Sequence, residues 1–389
     1  MIRRLLILLL LASISGCSGI KDKFSDLLGK NKDNLEPPAP LIDFQPSLNV
    51  IRIWSESTGD GTDEQYLKMS PVIVQQHIFV ASIDGEITAL DATNGNQIWS
   101  RKLKAEITSG LGYGENTILV GTGEGEVIAL DPLSGKEQWR SRLSSEILSP
   151  PQKADDIVVV RTQDGKVFGL NGDDGKRLWI YDRTVPALSL RGTSPPVING
   201  HLVIAGFDAG RLAGLDLESG KLLWEAAVAN PRGRSELERM VDIDSPPQVV
   251  EGVIYVATFQ GQLAAIHLES GRLLWSRDIS SYAGFSADDK FIYITDDKSE
   301  ISAVDRFSGT TVWKQEKLHA RAATAPAVIG DYIVVGDLEG YLHWMRKSDG
   351  RFVQRVRLSK ERIIAPPLAA GKILYAFCTD GELAAYTYR

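Results

Sequence analysis

Residues 193–224 read TSPPVINGHLVIAGFDAGRLAGLDLESGKLLW, and versions of this unit recur along almost the whole chain. Alternation and turn chemistry divide it into four short strands: PPVI, a tight Asn199-Gly200 turn, HLVIAGF, a turn at Ala209-Gly210, RLAGLDL, a turn at Ser219-Gly220, and KLLWEAAV. The plainest mark of the repeat is a Gly followed four residues later by Trp: Gly95/Trp99, Gly135/Trp139, Gly175/Trp179, Gly220/Trp224, Gly271/Trp275 and Gly309/Trp313. Successive Trp residues are 40, 40, 45, 51 and 38 positions apart. A period near 40 with several short strands per unit predicts a β-propeller rather than a solenoid of helices.

The second turn counts the blades. It recurs as Asp84-Gly85, Glu124-Gly125, Asp164-Gly165, Gln260-Gly261, Glu339-Gly340 and Asp380-Gly381, with Lys298-Ser299 as an irregular copy, and with Ala209-Gly210 this makes eight units. After Asp380-Gly381 only ELAAYTYR remains, so the last unit lacks its outer strand, while IRIWSES (Ile51 to Ser57) is an orphan outer strand carrying Trp54. Joining the two completes an all-β, eight-bladed propeller of four-stranded blades, closed by the N-terminal strand and free of an open edge. Tryptophan at one place in nearly every unit reads as a wedge between neighbouring blades rather than a ligand-stacking set. Blade seven departs from the pattern: Gln354 stands at its Trp position, and Trp344 falls where other units carry Ala or Gly (Ala129, Gly169, Gly214, Ala265). A local repacking is expected there.

The N-terminus reads MIRRLLILLLLASISGC, with two arginines before a ten-residue apolar run, then small residues and Cys17. That run is too short for a membrane-spanning helix, which needs about 20 apolar residues, and it reads as an export signal over 1–16. Ile14-Ser15-Gly16-Cys17 resembles the lipobox of bacterial lipoproteins, which implies acylation of Cys17 and cleavage before it. Ser18 stands where an Asp usually retains such proteins at the inner membrane, so the resemblance implies outer-membrane placement, facing the periplasm. Residues 17–48 read as the lipidated cysteine and a flexible tether, polar and then proline-rich, leaving 49–389 as the propeller. A tether of that length spans about 30 Å. Cleavage removes Arg3 and Arg4 from the 43 basic residues, leaving 41 against 50 acidic and a formal charge of −9, which argues against nucleic acid as a partner. The other cysteine, Cys378, lies in the apolar run ILYAFC and reads as a small buried hydrophobe.

Little in the chain points to catalysis. His77, His201, His267, His319 and His343 are scattered over different repeats with no pair at metal-ligand spacing. Neither a phosphate loop, a nucleophile elbow nor a calcium loop is present, and the pairs Asp155-Asp156, Asp288-Asp289 and Asp296-Asp297 each lie at a predicted turn, where Asp is common. The strings ALDATNGNQIW and ALDPLSGKEQW are similar to the repeat of the quinoprotein alcohol dehydrogenases, also eight-bladed. That resemblance supplies an alternative, a quinoprotein-type periplasmic dehydrogenase. It departs from those enzymes in having one available cysteine where they carry an adjacent pair, and in being considerably shorter. The expectation is therefore a protein without catalytic residues, cofactor or metal.

Loop lengths single out one region. From the Trp of a blade to the Ser opening the next inner strand the chain takes ten residues at Trp99–Ser109 and at Trp139–Ser149, but 15 at Trp179–Ser194 and 21 at Trp224–Ser245. The two long loops are consecutive and so stand side by side on one face. The first places Leu188, Leu190 and Arg191 where no strand partner covers them, and the second places Asp242 and Asp244 just before the next blade. Loop geometry alone allows two readings: a binding surface, or leucines tucked under the loop with Arg191 paired to Asp242 or Asp244. Lipobox, linker, Trp-bearing repeats and the strings LSLRG and DID resemble the BamB family of barrel-assembly lipoproteins over essentially the whole mature chain. The resemblance implies that Leu188, Leu190, Arg191, Asp242 and Asp244 bind the periplasmic POTRA domains of BamA. It implies a non-enzymatic scaffold for inserting outer-membrane proteins, and direct contact with nascent outer-membrane proteins stays open.

Overall fold

The computed structural model describes residues 36–389 except 64, 185–193, 232–233 and 236–237. The chain divides into two units, Met1–Pro38 and Ala39–Arg389, and the second contains the fold. Eight antiparallel four-stranded sheets form a propeller. The quoted unit is blade four, with strands Val197–Asn199, Leu202–Phe207, Arg211–Asp216 and Leu222–Ala227 in spatial order. Middle strands are buried almost throughout and outer strands half exposed, as a blade pressed between two neighbours requires. In blade eight the outermost strand is Val50–Ser57, paired antiparallel with Glu382–Tyr388 from Val50 opposite Tyr388 to Ser57 opposite Glu382.

The core lies between blades, and each neighbouring pair shares apolar side chains. Leu202, Ile204 and Leu212 of blade four meet Ile254, Val256 and Ile266 of blade five in one cluster. Tyr375, Leu383 and Trp54 of blade eight meet Ile78, Phe79 and Ile87 of blade one in another, so the ring closes through side chains as well as strand pairing. Each indole acts as a wedge. The Trp179 Nε1 donates to Leu217 O of the next blade at 2.8 Å, and Trp54, Trp99 and Trp139 do the same to Ala92, Pro132 and Gly172. The recurrent glycine seats that wedge. Gly220 has φ of +66°, and a Cβ there would lie 2.5 Å from the Trp179 ring, so backbone conformation and the flat indole both demand glycine. The Gly and Trp of one unit thus face opposite junctions.

Blade seven explains its own departure. Elsewhere the outer-strand Trp stands opposite a small residue of the third strand, as Trp139 does opposite Ala129 and Trp224 opposite Gly214. In blade seven Trp344 is opposite Gln354. The third strand now supplies the indole, fully buried and 5.8 Å from the Tyr388 ring, and the Gln354 Nε2 donates to Leu48 O at 3.0 Å. Leu48 belongs to a segment that sequence reading assigned to the tether. Residues 39–48 are instead held against blade seven: Arg321 Nη1 donates to Ala39 O and Arg355 Nη2 to Ile42 O, both at 2.9 Å, Phe44 stacks on Phe352, and the Ser47 N–H donates to Val353 O. The propeller body therefore begins near residue 39, not 49. Cys378 is a free buried cysteine packed among these same side chains, and burial pushes its thiol well above the usual range.

Candidate functional site

The two long loops leave blade three after Asp182 and blade four after Ala227. Leu188, Leu190 and Arg191 lie outside the described residues, as does Cys17. Asp242 and Asp244 are described, and they differ. Asp242 is 1% exposed, and its carboxylate accepts the Ala209 N–H at 3.3 Å while its carbonyl accepts the Phe259 N–H at 2.9 Å. It therefore ties the second loop to the turns of blades four and five. Ile243, pointing the other way in the extended DID segment, packs over Gly206.

Asp244 faces a cavity. The space, about 540 Å³, is bounded by residues at or just before the innermost strands of seven blades, among them Ser70, Pro150, Pro195, Pro246, Pro326 and Pro367, which places it on the propeller axis. Its opening is on the face that carries the long loops, since the connection from one blade's outer strand leads directly into the next innermost strand. Asp244 Oδ2 is buried and has no hydrogen-bond partner among the described residues. Burial, only partly offset by Lys68, pushes the Asp244 carboxyl up to about 6. Lys68, entering from blade one, lines the same cavity with its Nζ donating to Tyr282 O at 2.6 Å, and burial holds its pKa below the usual lysine value.

Sequence reasoning missed a cation in this region. Arg161 ends the fully buried strand Ile157–Arg161 of blade three, and its guanidinium reaches Asp208 of blade four at 3.4 Å and stacks over Phe207. Its Nε and Nη1 have no hydrogen-bond partner among the described residues. Burial lowers the Arg161 pKa, with Asp208, Asp244 and Asp242 opposing. The fold thus gathers three carboxylates and Arg161 from blades three, four and five. An arginine at the end of the run IVVVR was the available signal. Among the described residues, no group of three His, Cys, Asp or Glu side chains is placed to hold a metal ion.

The unpartnered Asp244 carboxylate has a consequence for stability. Its folded pKa lies above the ordinary carboxylate value of 3.8, so its ionised form costs stability as pH rises from 3.8 through about 6. At pH 7 that cost is about 2–3 kcal/mol at two pKa steps of 1.36 kcal/mol each. Asp244→Asn is expected to be more stable than the parent by up to that amount in denaturant titrations at pH 7, and to lose the advantage at pH 4. An equal gain at both pH values would contradict a buried, ionised carboxylate.

Comparison with known proteins adds lineage to this geometry. A family model described as outer membrane protein assembly factor BamB matches residues 83–315 and 297–389. The BamB of Pseudomonas aeruginosa is 46% identical over 353 residues, covering 91% of this chain and 93% of the relative, and that of Alkalilimnicola ehrlichii is 47% identical over 345 residues, covering 89% and 90%. The crystal structure of BamB from Moraxella catarrhalis superposes with a TM-score of 0.80 at 27% identity, covering 87% of this chain and all of that one. The quinohemoprotein alcohol dehydrogenase of Comamonas testosteroni gives a TM-score of 0.70 at 12% identity, covering 87% and 76%, a likeness of fold alone.

Proposed function

Because the chain belongs to the family of the outer membrane protein assembly factor BamB, we propose that it works as a lipid-anchored, non-enzymatic scaffold of the barrel-assembly machinery, docking on the POTRA domains of BamA. The observation that carries this reading is identity above 45% with two curated relatives across about nine-tenths of the chain. Leu188, Leu190 and Arg191 on the first loop and Asp244 on the second form the docking surface in this reading. Asp242, buried and bonded to Ala209, shapes the second loop. Acylation at Cys17 holds the body beside the outer membrane, where nascent outer-membrane proteins are within reach. The quinoprotein alternative is left with a likeness of fold at 12% identity.

Pull-down of BamA, read beside thermal melts, tests the surface. Leu188→Ala and Leu190→Ala are expected to weaken binding by about 1–2 kcal/mol each with melting nearly unchanged, and Arg191→Glu by more, because it adds repulsion to the loss of a hydrogen-bonding fork. Asp242→Ala should lower stability by about 1–3 kcal/mol, since it removes a buried carboxylate and leaves the part-buried Ala209 N–H unpaired. Full BamA capture by the Leu188, Leu190 and Arg191 variants would refute the docking surface.

A further inference from the structure

We propose that the axial cavity is a recognition site for an extended, uncharged stretch of polypeptide carrying an aromatic side chain, distinct from the leucines and arginine of the first loop and bordering the docking surface at Asp244. The cavity, about 540 Å³, lies in the range of ligand sites, roughly 300–1,000 Å³. Its walls are mainly apolar: Phe259 and Tyr282 meet edge to face at 6.4 Å, Phe285 and Leu148 extend the surface, and Tyr66, 51% exposed and stacked under Arg362, stands at the rim. Rings in this arrangement favour another ring, through offset or edge-to-face contact.

The polar groups decide what accompanies the ring. Asp244 Oδ2 is a buried acceptor without a donor, and Ser149 Oγ on the same lining is also without a partner among the described residues. Leaving such atoms unpaired is costly, and an occupant that supplies a donor relieves the cost. Lys68 sets the limit on that donor's charge. Its ammonium lines the same cavity and donates to Tyr282 O with two N–H groups still to place, so a cationic occupant meets repulsion there and an anionic one meets it at Asp244. A group offering N–H to Asp244 and C=O to Lys68 while carrying no net charge is an amide, and a ring beside successive amides is an aromatic residue in a peptide.

The test uses the full mature chain, with Cys17→Ser to keep it soluble, and ligand-observed NMR titration with the capped tripeptide acetyl-alanyl-phenylalanyl-alanine amide. Saturable binding is expected, about tenfold or more tighter than for the capped all-alanine tripeptide, phenethylamine or 3-phenylpropionate. Asp244→Leu removes the acceptor and should weaken the tripeptide by about tenfold or more. Leu148→Trp fills the space from a wall outside both long loops, and should block the tripeptide while leaving BamA capture intact, so the cavity and the docking surface fail or stand independently. Absence of saturable tripeptide binding, phenethylamine binding as well as the tripeptide, or an affinity unchanged by Leu148→Trp would each overturn the proposal. Should Asp244→Leu not fold, Leu148→Trp decides.

Discussion

Deleting residues 49–57 is expected to destroy the single cooperative melt of the propeller, whereas deleting residues 18–35 should leave the melting temperature nearly unchanged. The first deletion removes the outermost strand of blade eight, with seven residue pairings to Glu382–Tyr388, and exposes the edge that the closed ring hides. It also removes Trp54, whose ring packs on Gly95 and Tyr375 and whose Nε1 donates to Ala92 O across the junction with blade one. The indole alone accounts for a large share: Trp54→Ala should cost about 3–5 kcal/mol, a sizeable part of the 5–15 kcal/mol by which domains are stable. The deletion of 18–35 touches none of these pairings. Calorimetry of both truncated proteins checks the expectation, and coincident melts would mean that the ring is not closed by this strand.

Closure was legible in the sequence because propeller geometry repeats: seven of the eight junctions seat an indole on a glycine, and the second turn recurs in every unit, so the count survives an irregular copy such as Lys298-Ser299. That copy works because Ser299 adopts the left-handed φ of +65° usually given to glycine. What happens once in the fold leaves no period to detect. The segment 39–48 docks through backbone carbonyls offered to Arg321 and Arg355, which any residue type provides, so its proline-rich text read as tether. The same docking accounts for Gln354, whose partner lies 306 positions away. At the candidate site, Asp242 and Asp244 shared one reading because they share a motif and an alternation; their surroundings separate them, the Ala209 N–H for Asp242 and the axial cavity for Asp244, and those surroundings come from neighbouring blades. The cavity was invisible for a related reason. It is lined mainly by residues at or just before seven of the inner strands, which the repeat pattern presents as ordinary turns.

His343 was read as one of five scattered histidines, and its surroundings support the second large effect. Asp337 is fully buried, accepting from Arg321 Nε at 2.8 Å and His343 Nε2 at 2.9 Å through one oxygen, and from the Glu339 and Tyr341 N–H groups at 2.9 Å through the other. The neutral Nε2–H tautomer of His343 fits this network, since its Nδ1 can then accept from Arg355 Nε at 3.4 Å. Arg321 and Arg355 are the residues that grip Ala39 and Ile42, so the carboxylate underlies the docked segment as well as the blade. Asp337→Ala is expected to cost about 3–5 kcal/mol, because it leaves the buried Arg321 with Glu339 as its one remaining carboxylate and unpairs the buried His343 Nε2–H together with two backbone N–H groups. Limited proteolysis should then cut within 39–48, where the parent resists. The network also sets a direction for pH. Burial alone would raise the Asp337 pKa, but the hydrogen bond from His343, with the charge of Arg321, holds it below the ordinary 3.8, so its stabilisation is present above that value and is lost as pH falls through the lowered one. Burial lowers the His343 pKa below 6.5 despite Asp337, so in acid the unfolded chain takes up a proton that the folded chain refuses. His343 makes the parent less stable as pH falls from about 6.5 and Asp337 adds to this only below 3.8, while Asp244 pulls in the opposite sense between 3.8 and about 6. His343→Gln, which keeps a donor for Asp337 without a titrating ring, should flatten the fall in stability between pH 7 and pH 5. An Asp337→Ala protein within about 1 kcal/mol of the parent, with 39–48 still protected, would show that the carboxylate holds neither the blade nor the segment.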